Sequence, residues 1–152
     1  MKLLRILPFL AVTVLLVPSA IAADFGVRAG RLNELEEEFV GAELLIDLGA
    51  IHLNPNVEYF LAEDVTEGTA NLDVTLDIIQ AAQIRPYVGA GLGILYVDTD
   101  LGDNTDVVGN LIGGVAFDLE FLTPYAQVKY FRTLEDEDGD NDEIAFTVGL
   151  RF

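Results

Sequence analysis

The sequence predicts an all-β chain folded as one eight-stranded antiparallel up-and-down barrel, with its apolar face outward as a transmembrane barrel requires. Three observations predict it. Bulky apolar residues alternate with small or polar ones along the whole chain from residue 24 onward, the period of a half-buried strand. Past the first two dozen residues there is no apolar run of about 18 residues, so no helix is available to cross a membrane. In Gly89-Ala-Gly91-Leu-Gly93 every glycine lies opposite the apolar positions of its strand. The crowded interior of an eight-stranded barrel has use for small residues there, whereas on a water-facing surface they would only weaken the strand.

In chain order, Lys2 and Arg5 precede an apolar stretch from Ile6 to Val17, followed by Pro18-Ser19 and the small-residue site Ala20-Ile-Ala22. That pattern predicts a cleavable signal peptide over 1–22 and an exported protein that begins at Ala23. The remainder, 23–152, is about 130 residues, the size of one barrel domain. Cysteine is absent, so stability must come from the β ladder and its surroundings rather than from disulfides.

The first strand, 24–32, sets Phe25, Val27 and Ala29 on one face and Arg28 on the other; the second, 39–48, opposes Val40, Ala42, Leu44, Ile46 and Leu48 to Glu43 and Asp47. The third, 51–62, opposes Leu53, Val57, Tyr59 and Leu61 to Asn54, Asn56 and Glu58; the fourth, 69–79, opposes Ala70, Leu72, Val74, Leu76 and Ile78 to Asn71, Asp73 and Asp77. In the fifth, 84–98, Val88, Ala90, Leu92, Ile94 and Tyr96 oppose Arg85 and the three glycines; in the sixth, 106–119, Leu111, Val115 and Phe117 oppose Asn110 and Asp118. The seventh, 123–133, opposes Ala126, Val128 and Tyr130 to Gln127 and Lys129, and the eighth, 143–152, opposes Ile144, Phe146, Val148, Leu150 and Phe152 to Arg151. Short joints at 49–50, 80–83 and 120–122 alternate with polar connections at 33–38, 63–68, 99–105 and 134–142. Tyr59, Tyr96 and Tyr130 fall at one end of the strands and Phe25, Phe117 and Phe152 at the other, the spacing of two aromatic girdles.

Half the residues are hydrophobic, yet the formal net charge is -18, so charge and apolar surface must be segregated in space. Glu34, Glu36, Glu37, Glu38, Glu63, Asp64, Glu67, Asp98, Asp100, Asp103, Asp106, Glu135, Asp136, Glu137, Asp138, Asp140, Asp142 and Glu143 all lie in the polar connections or their flanks. Buried charges persist only when paired. The inward parity therefore predicts a lumenal network in which Glu43, Glu58 and Asp73 face Arg28, Arg85, Lys129 and Arg151 and plug the barrel. A soluble lipid carrier of lipocalin type, with the two faces exchanged, is the alternative architecture.

Asp136-Glu-Asp138-Gly-Asp140-Asn-Asp142 is the best candidate for a metal, because hard cations such as Ca²⁺ prefer carboxylate oxygens. Its glycine comes too early for an EF-hand loop, and solvated, mutually repelling loops are the competing reading. Apart from such a divalent cation, no cofactor is expected. Catalysis is not expected either: the only serine, Ser19, leaves with the signal peptide, and nothing pairs Thr147 with His52, the only histidine. His52 is expected to line the lumen floor beside the Gly49-Ala50 turn. Nucleic acid is disfavoured as a partner by the sign of the charge, which would repel phosphate.

Pro86-Tyr-Val-Gly-Ala-Gly-Leu-Gly93, Pro124-Tyr-Ala and the terminal Phe152 resemble the small eight-stranded outer-membrane barrels of the OmpA and OmpX kind. The resemblance implies a bacterial outer-membrane location and a monomer. It also implies recognition of Ile144, Phe146, Val148, Leu150 and Phe152 by the barrel-assembly machinery. Outer-membrane lipids and lipopolysaccharide are then the expected neighbours, with Arg31 and Arg132 placed to snorkel to lipid phosphates. The function expected is non-enzymatic, serving envelope integrity or surface interaction through the acidic loops. A narrow small-solute channel resembling OmpW is the alternative.

Overall fold

The computed structural model describes residues 22–62, 65–79, 83–99, 102–134 and 142–152. Residues 1–21, which hold nearly all of the signal peptide expected over 1–22, and the acidic stretch 135–141 lie outside the described residues. Period-two alternation gives eight strands: β1 (Ala23–Leu32), β2 (Glu38–Asp47), β3 (Ile51–Phe60), β4 (Thr66–Asp77), β5 (Ile84–Thr99), β6 (Gly102–Phe117), β7 (Thr123–Thr133) and β8 (Asp142–Arg151). Each pairs antiparallel with its neighbours in sequence, and β8 returns to β1, from Gly26 opposite Arg151 to Leu32 opposite Ala145. The closed barrel has no free sheet edge, which resolves the hazard that apolar edge strands present.

Two connections are shorter than expected. The sequence predicts a polar loop over 99–105, but the β5–β6 ladder continues unbroken from Ile94 opposite Val107 to Thr99 opposite Gly102, leaving only 100–101 between the strands. Asp103 is therefore a strand residue, paired with Asp98. Likewise β4 begins at Thr66 because Glu67 and Gly68 pair with Phe60 and Tyr59 of β3 and with Val97 and Tyr96 of β5. At the opposite end, Gly49 turns the chain with φ +99°, a conformation that favours glycine, and its N–H donates to Asp47 Oδ1 at 2.7 Å.

We call the end where β1, β3, β5 and β7 finish the acidic rim, and the end where β1 begins and β8 finishes the terminal rim. Outward positions are apolar and open, among them Val27, Leu72, Leu92, Leu111 and Val148. Inward positions are buried and largely polar, among them Arg28, Glu43, Asn56, Asp73 and Lys129. This is the reverse of a lipocalin-type carrier and removes that alternative.

Glycine relieves crowding inside. A Cβ on Gly91 would lie 2.7 Å from the Leu72 carbonyl oxygen and collide with the Asp73 carboxylate, whereas one on the outward Gly113 would meet nothing within 4 Å. The lumen is layered. Leu32, Phe39, Phe60 and Ala145 form an apolar cap below the acidic rim, with Phe39 and Phe60 edge to face at 5.7 Å and 61°. Tyr87, Ile112, Ala116 and Tyr125 form a second apolar layer toward the terminal rim. Charge occupies the space between them.

Candidate functional site: the lumenal charge network

Arg28 of β1 is the hub. Its Nη2 pairs with Glu43 of β2 and donates to Asn54 Oδ1 at 2.9 Å, while Nη1 reaches Glu58 Oε1 at 3.0 Å and Asn56 Oδ1 at 3.2 Å. Glu43 also receives Arg151 Nε at 2.9 Å, and the Arg151 guanidinium lies 4.0 Å over the Tyr125 ring. Lys129 Nζ sits 3.3 Å from Glu58 and 3.2 Å from Asp73.

Amides finish the coordination. Asn56 and Asn110 donate to the two oxygens of Asp73 at 2.8 and 3.0 Å, Asn54 Nδ2 donates to Glu43 at 2.7 Å, and the Thr69 hydroxyl donates to Glu58 Oε2 at 3.1 Å. Three carboxylates (Glu43, Glu58, Asp73) thus meet three cations (Arg28, Lys129, Arg151), all buried. Inside a low-dielectric wall such groups are stable only in this paired state.

Arg85 stands apart from this cluster, although its side chain has the inward parity expected of it. Its register, opposite Ala116, places it at the terminal rim. There the nearest carboxylates are Asp77, 3.3 Å from Nη1, and Asp118, 2.6 Å from Nε. His52 joins the same group, with Nε2 3.1 Å from Asp77 and Nδ1 3.8 Å from Asp47. It lines the lumen floor. Thr147 Oγ1, in mid-β8, has no hydrogen-bond partner among the described residues, so His52 does not activate it.

At the acidic rim, Asp142 accepts the Tyr130 hydroxyl at 2.6 Å and lies 3.4 Å from Arg132 Nε. Asp136, Asp138 and Asp140, the rest of the candidate calcium set, lie outside the described residues. Among the described residues no group of three or more His, Asp or Glu side chains is arranged to hold a metal. Arg31 lies 3.7 Å from Glu36, so both outward arginines already face a carboxylate. Glu67 lies one residue beyond the row Tyr59, Gly68, Tyr96, on the loop side. Its pKa is raised by burial and then by the charge of Glu37.

The terminal set Ile144, Phe146, Val148, Leu150 and Phe152 lines the outward face of β8 and the residue after it, exposed at each position. The aromatic lining of the lumen was missed by sequence. Phe39, Phe60, Tyr87 and Tyr125 are inward, and counting parity from Glu43 or Lys129 would have found Phe39 and Tyr125.

No protein family and no curated protein matches the chain by sequence. Its structure is similar to the N-terminal β-barrel domain of Pseudomonas aeruginosa OprF, with TM-score 0.64 and 18% identity over 85% of this chain and 97% of that one. It is also similar to Neisserial surface protein A, with TM-score 0.65 and 12% identity over 88% and 96% of the two chains. A de novo designed protein, TMB2.3, follows at TM-score 0.52 and 14% identity, over 90% of this chain and 97% of that one. The chain therefore has the fold of the small eight-stranded outer-membrane β-barrels.

Proposed function

We propose that the chain is a non-enzymatic, monomeric outer-membrane barrel with a plugged lumen, serving envelope integrity or surface interaction through its acidic rim. The observation that carries the reading is the neutral, buried network of Arg28, Lys129 and Arg151 with Glu43, Glu58 and Asp73 beneath the Phe39–Phe60 cap. An eight-stranded barrel is just wide enough for its side chains, and these side chains occupy the width with charges already paired. The continuous outward apolar face fits outer-membrane lipids and lipopolysaccharide. The exposed alternation of Ile144 to Phe152 fits a strand read by the barrel-assembly machinery. Divalent cations bridging the acidic rim to lipopolysaccharide phosphates would offset the repulsion between them.

The test is planar-bilayer conductance of the mature protein, preceded by gel mobility of boiled and unboiled samples from the outer-membrane fraction. A heat-dependent mobility shift with conductance equal to empty bilayer supports the proposal. Discrete conductance steps would replace it with a narrow channel, and recovery as soluble periplasmic protein would overturn the membrane assignment.

A further inference from the structure

The two rims treat charge in opposite ways. At the acidic rim the outward cross-strand pairs are charged: Arg31 opposite Glu38, Asp98 opposite Asp103, and Arg132 opposite Asp142. At the terminal rim the corresponding outward positions are apolar up to the turns themselves. Leu48 bonds to Ile51 across the first turn, Ile84 faces Phe117 at the second, and Leu119 bridges Leu122 around Phe121 at the third. Phe121, at the tip, is 86% exposed. Most of that rim's charge is turned inward, where Arg85 is paired with Asp77 and Asp118; Asp24 and Glu120 alone among its described acids stand exposed without an ion pair to the network, Glu120 beside Phe121 in the third turn.

We infer that the barrel is seated off-centre in its bilayer, with the terminal-rim turns immersed in the phospholipid interface and Phe121 inserted as an anchor. The inference rests on the membrane-barrel reading above and specifies which lipid surface that barrel binds. The occupant follows from continuity. Along β6 the outward residues run Leu111, Gly113, Val115 and Phe117 without a polar break, and Leu119 follows just past the strand, so the surface that faces lipid at mid-barrel continues to the turn that carries Phe121. A phenyl ring exposed at such a turn gains apolar contact by burying itself at the boundary between headgroups and acyl chains, as the apolar face of an interfacial segment does. In the other direction β6 becomes polar at Thr105 and charged at Asp103, so the lipid boundary falls well before the hairpin tip.

The chain contains no tryptophan, so single reporters are unambiguous. Phe121→Trp, Leu111→Trp at mid-belt and Asp103→Trp at the hairpin tip are each folded into phosphatidylethanolamine–phosphatidylglycerol vesicles. Quenching is then read with lipids brominated near the headgroup or deep in the acyl chain, and with aqueous iodide. The expected result is deep-bromine quenching of the Leu111→Trp reporter, iodide quenching of the Asp103→Trp reporter, and blue-shifted, iodide-shielded emission quenched by shallow bromines for Phe121→Trp. Iodide quenching of Phe121→Trp equal to that of Asp103→Trp, with Leu111→Trp still in lipid, overturns this inference alone. Loss of bromine quenching at Leu111→Trp overturns the membrane-barrel reading and this inference with it.

Discussion

Lys129 on β7 reaches across the lumen to Glu58 on β3, 3.3 Å between Nζ and Oε1, although the two strands are not neighbours in the ladder. Most bonds of a barrel run around its wall. This one runs through the middle and ties opposite walls together, and Arg28 meets the same oxygen at 3.0 Å from a third strand. Stability of the barrel therefore depends on side chains as well as on its ladder.

Removing one partner of a buried ion pair leaves the other uncompensated. Glu58→Gln is expected to lower the unfolding free energy by about 3–5 kcal/mol, measured by urea titration in phospholipid vesicles. Lys129→Met is expected to be similarly costly. The double variant should cost less than the sum of the two, because the groups share one network. Strict additivity would show that the strut is energetically idle.

The apolar cap gives a second prediction. Phe60 is fully buried and contacts Phe39 edge to face. Phe60→Ala should cost about 3–5 kcal/mol through the cavity it leaves, and Phe60→Leu distinctly less. The readout is the temperature at which the compact form seen on gels is lost; equal midpoints for the two variants would contradict the packing described.

Two glycines of the barrel should respond in opposite directions. Gly91→Ala drives a methyl into the Asp73 carboxylate and the β4 backbone, and overpacking of this kind costs roughly 1–3 kcal/mol. Gly113→Ala meets open space and should stabilise by about 0.4–1 kcal/mol by restricting the unfolded chain. Folding yield into vesicles, compared side by side, decides it.

Glu67 predicts a pH dependence at the rim. Its carboxyl is half-buried beside Glu37 and its pKa is raised, so the folded protein holds the proton more tightly than the unfolded chain. Stability from this group is then greatest at low pH and falls as pH rises through its folded value. Glu67→Gln should raise the unfolding midpoint at neutral pH, and the gain should vanish in acid. A pH-independent gain would assign the effect to packing instead.

Much of this was legible in the sequence, for a physical reason. Strand periodicity is exactly two residues by geometry, so once Glu43, Glu58, Asp73, Arg28, Lys129 and Arg151 are assigned to the inward face, their meeting follows from closure. Height along the barrel axis was not legible, because it depends on register between strands, and Arg85 shares the parity of the network but not its level. The inward aromatics were hidden by treating apolar as outward. Phe39 and Phe60 obey parity rather than polarity, since the lumen near the rim excludes water as well as lipid does. Only the tip of the β5–β6 hairpin, 99–105, reads as loop, because Thr99, Asp103, Asn104 and Thr105 break the apolar alternation, yet backbone pairing alone carries the ladder through them.

The seam between β1 and β8 has a kinetic consequence. Every other pairing joins strands that are adjacent in sequence, and a growing chain can zip them one hairpin after another. The pairs from Gly26–Arg151 to Leu32–Ala145 join the two extremes of the domain, and contacts of such separation carry the largest loop-closure cost and form slowly. Until that seam forms, both flanking strands offer unsatisfied backbone to hydrocarbon, where a lone amide costs several kcal/mol. The ring thus commits as a whole, with closure as the step that separates a collection of hairpins from a membrane-stable protein.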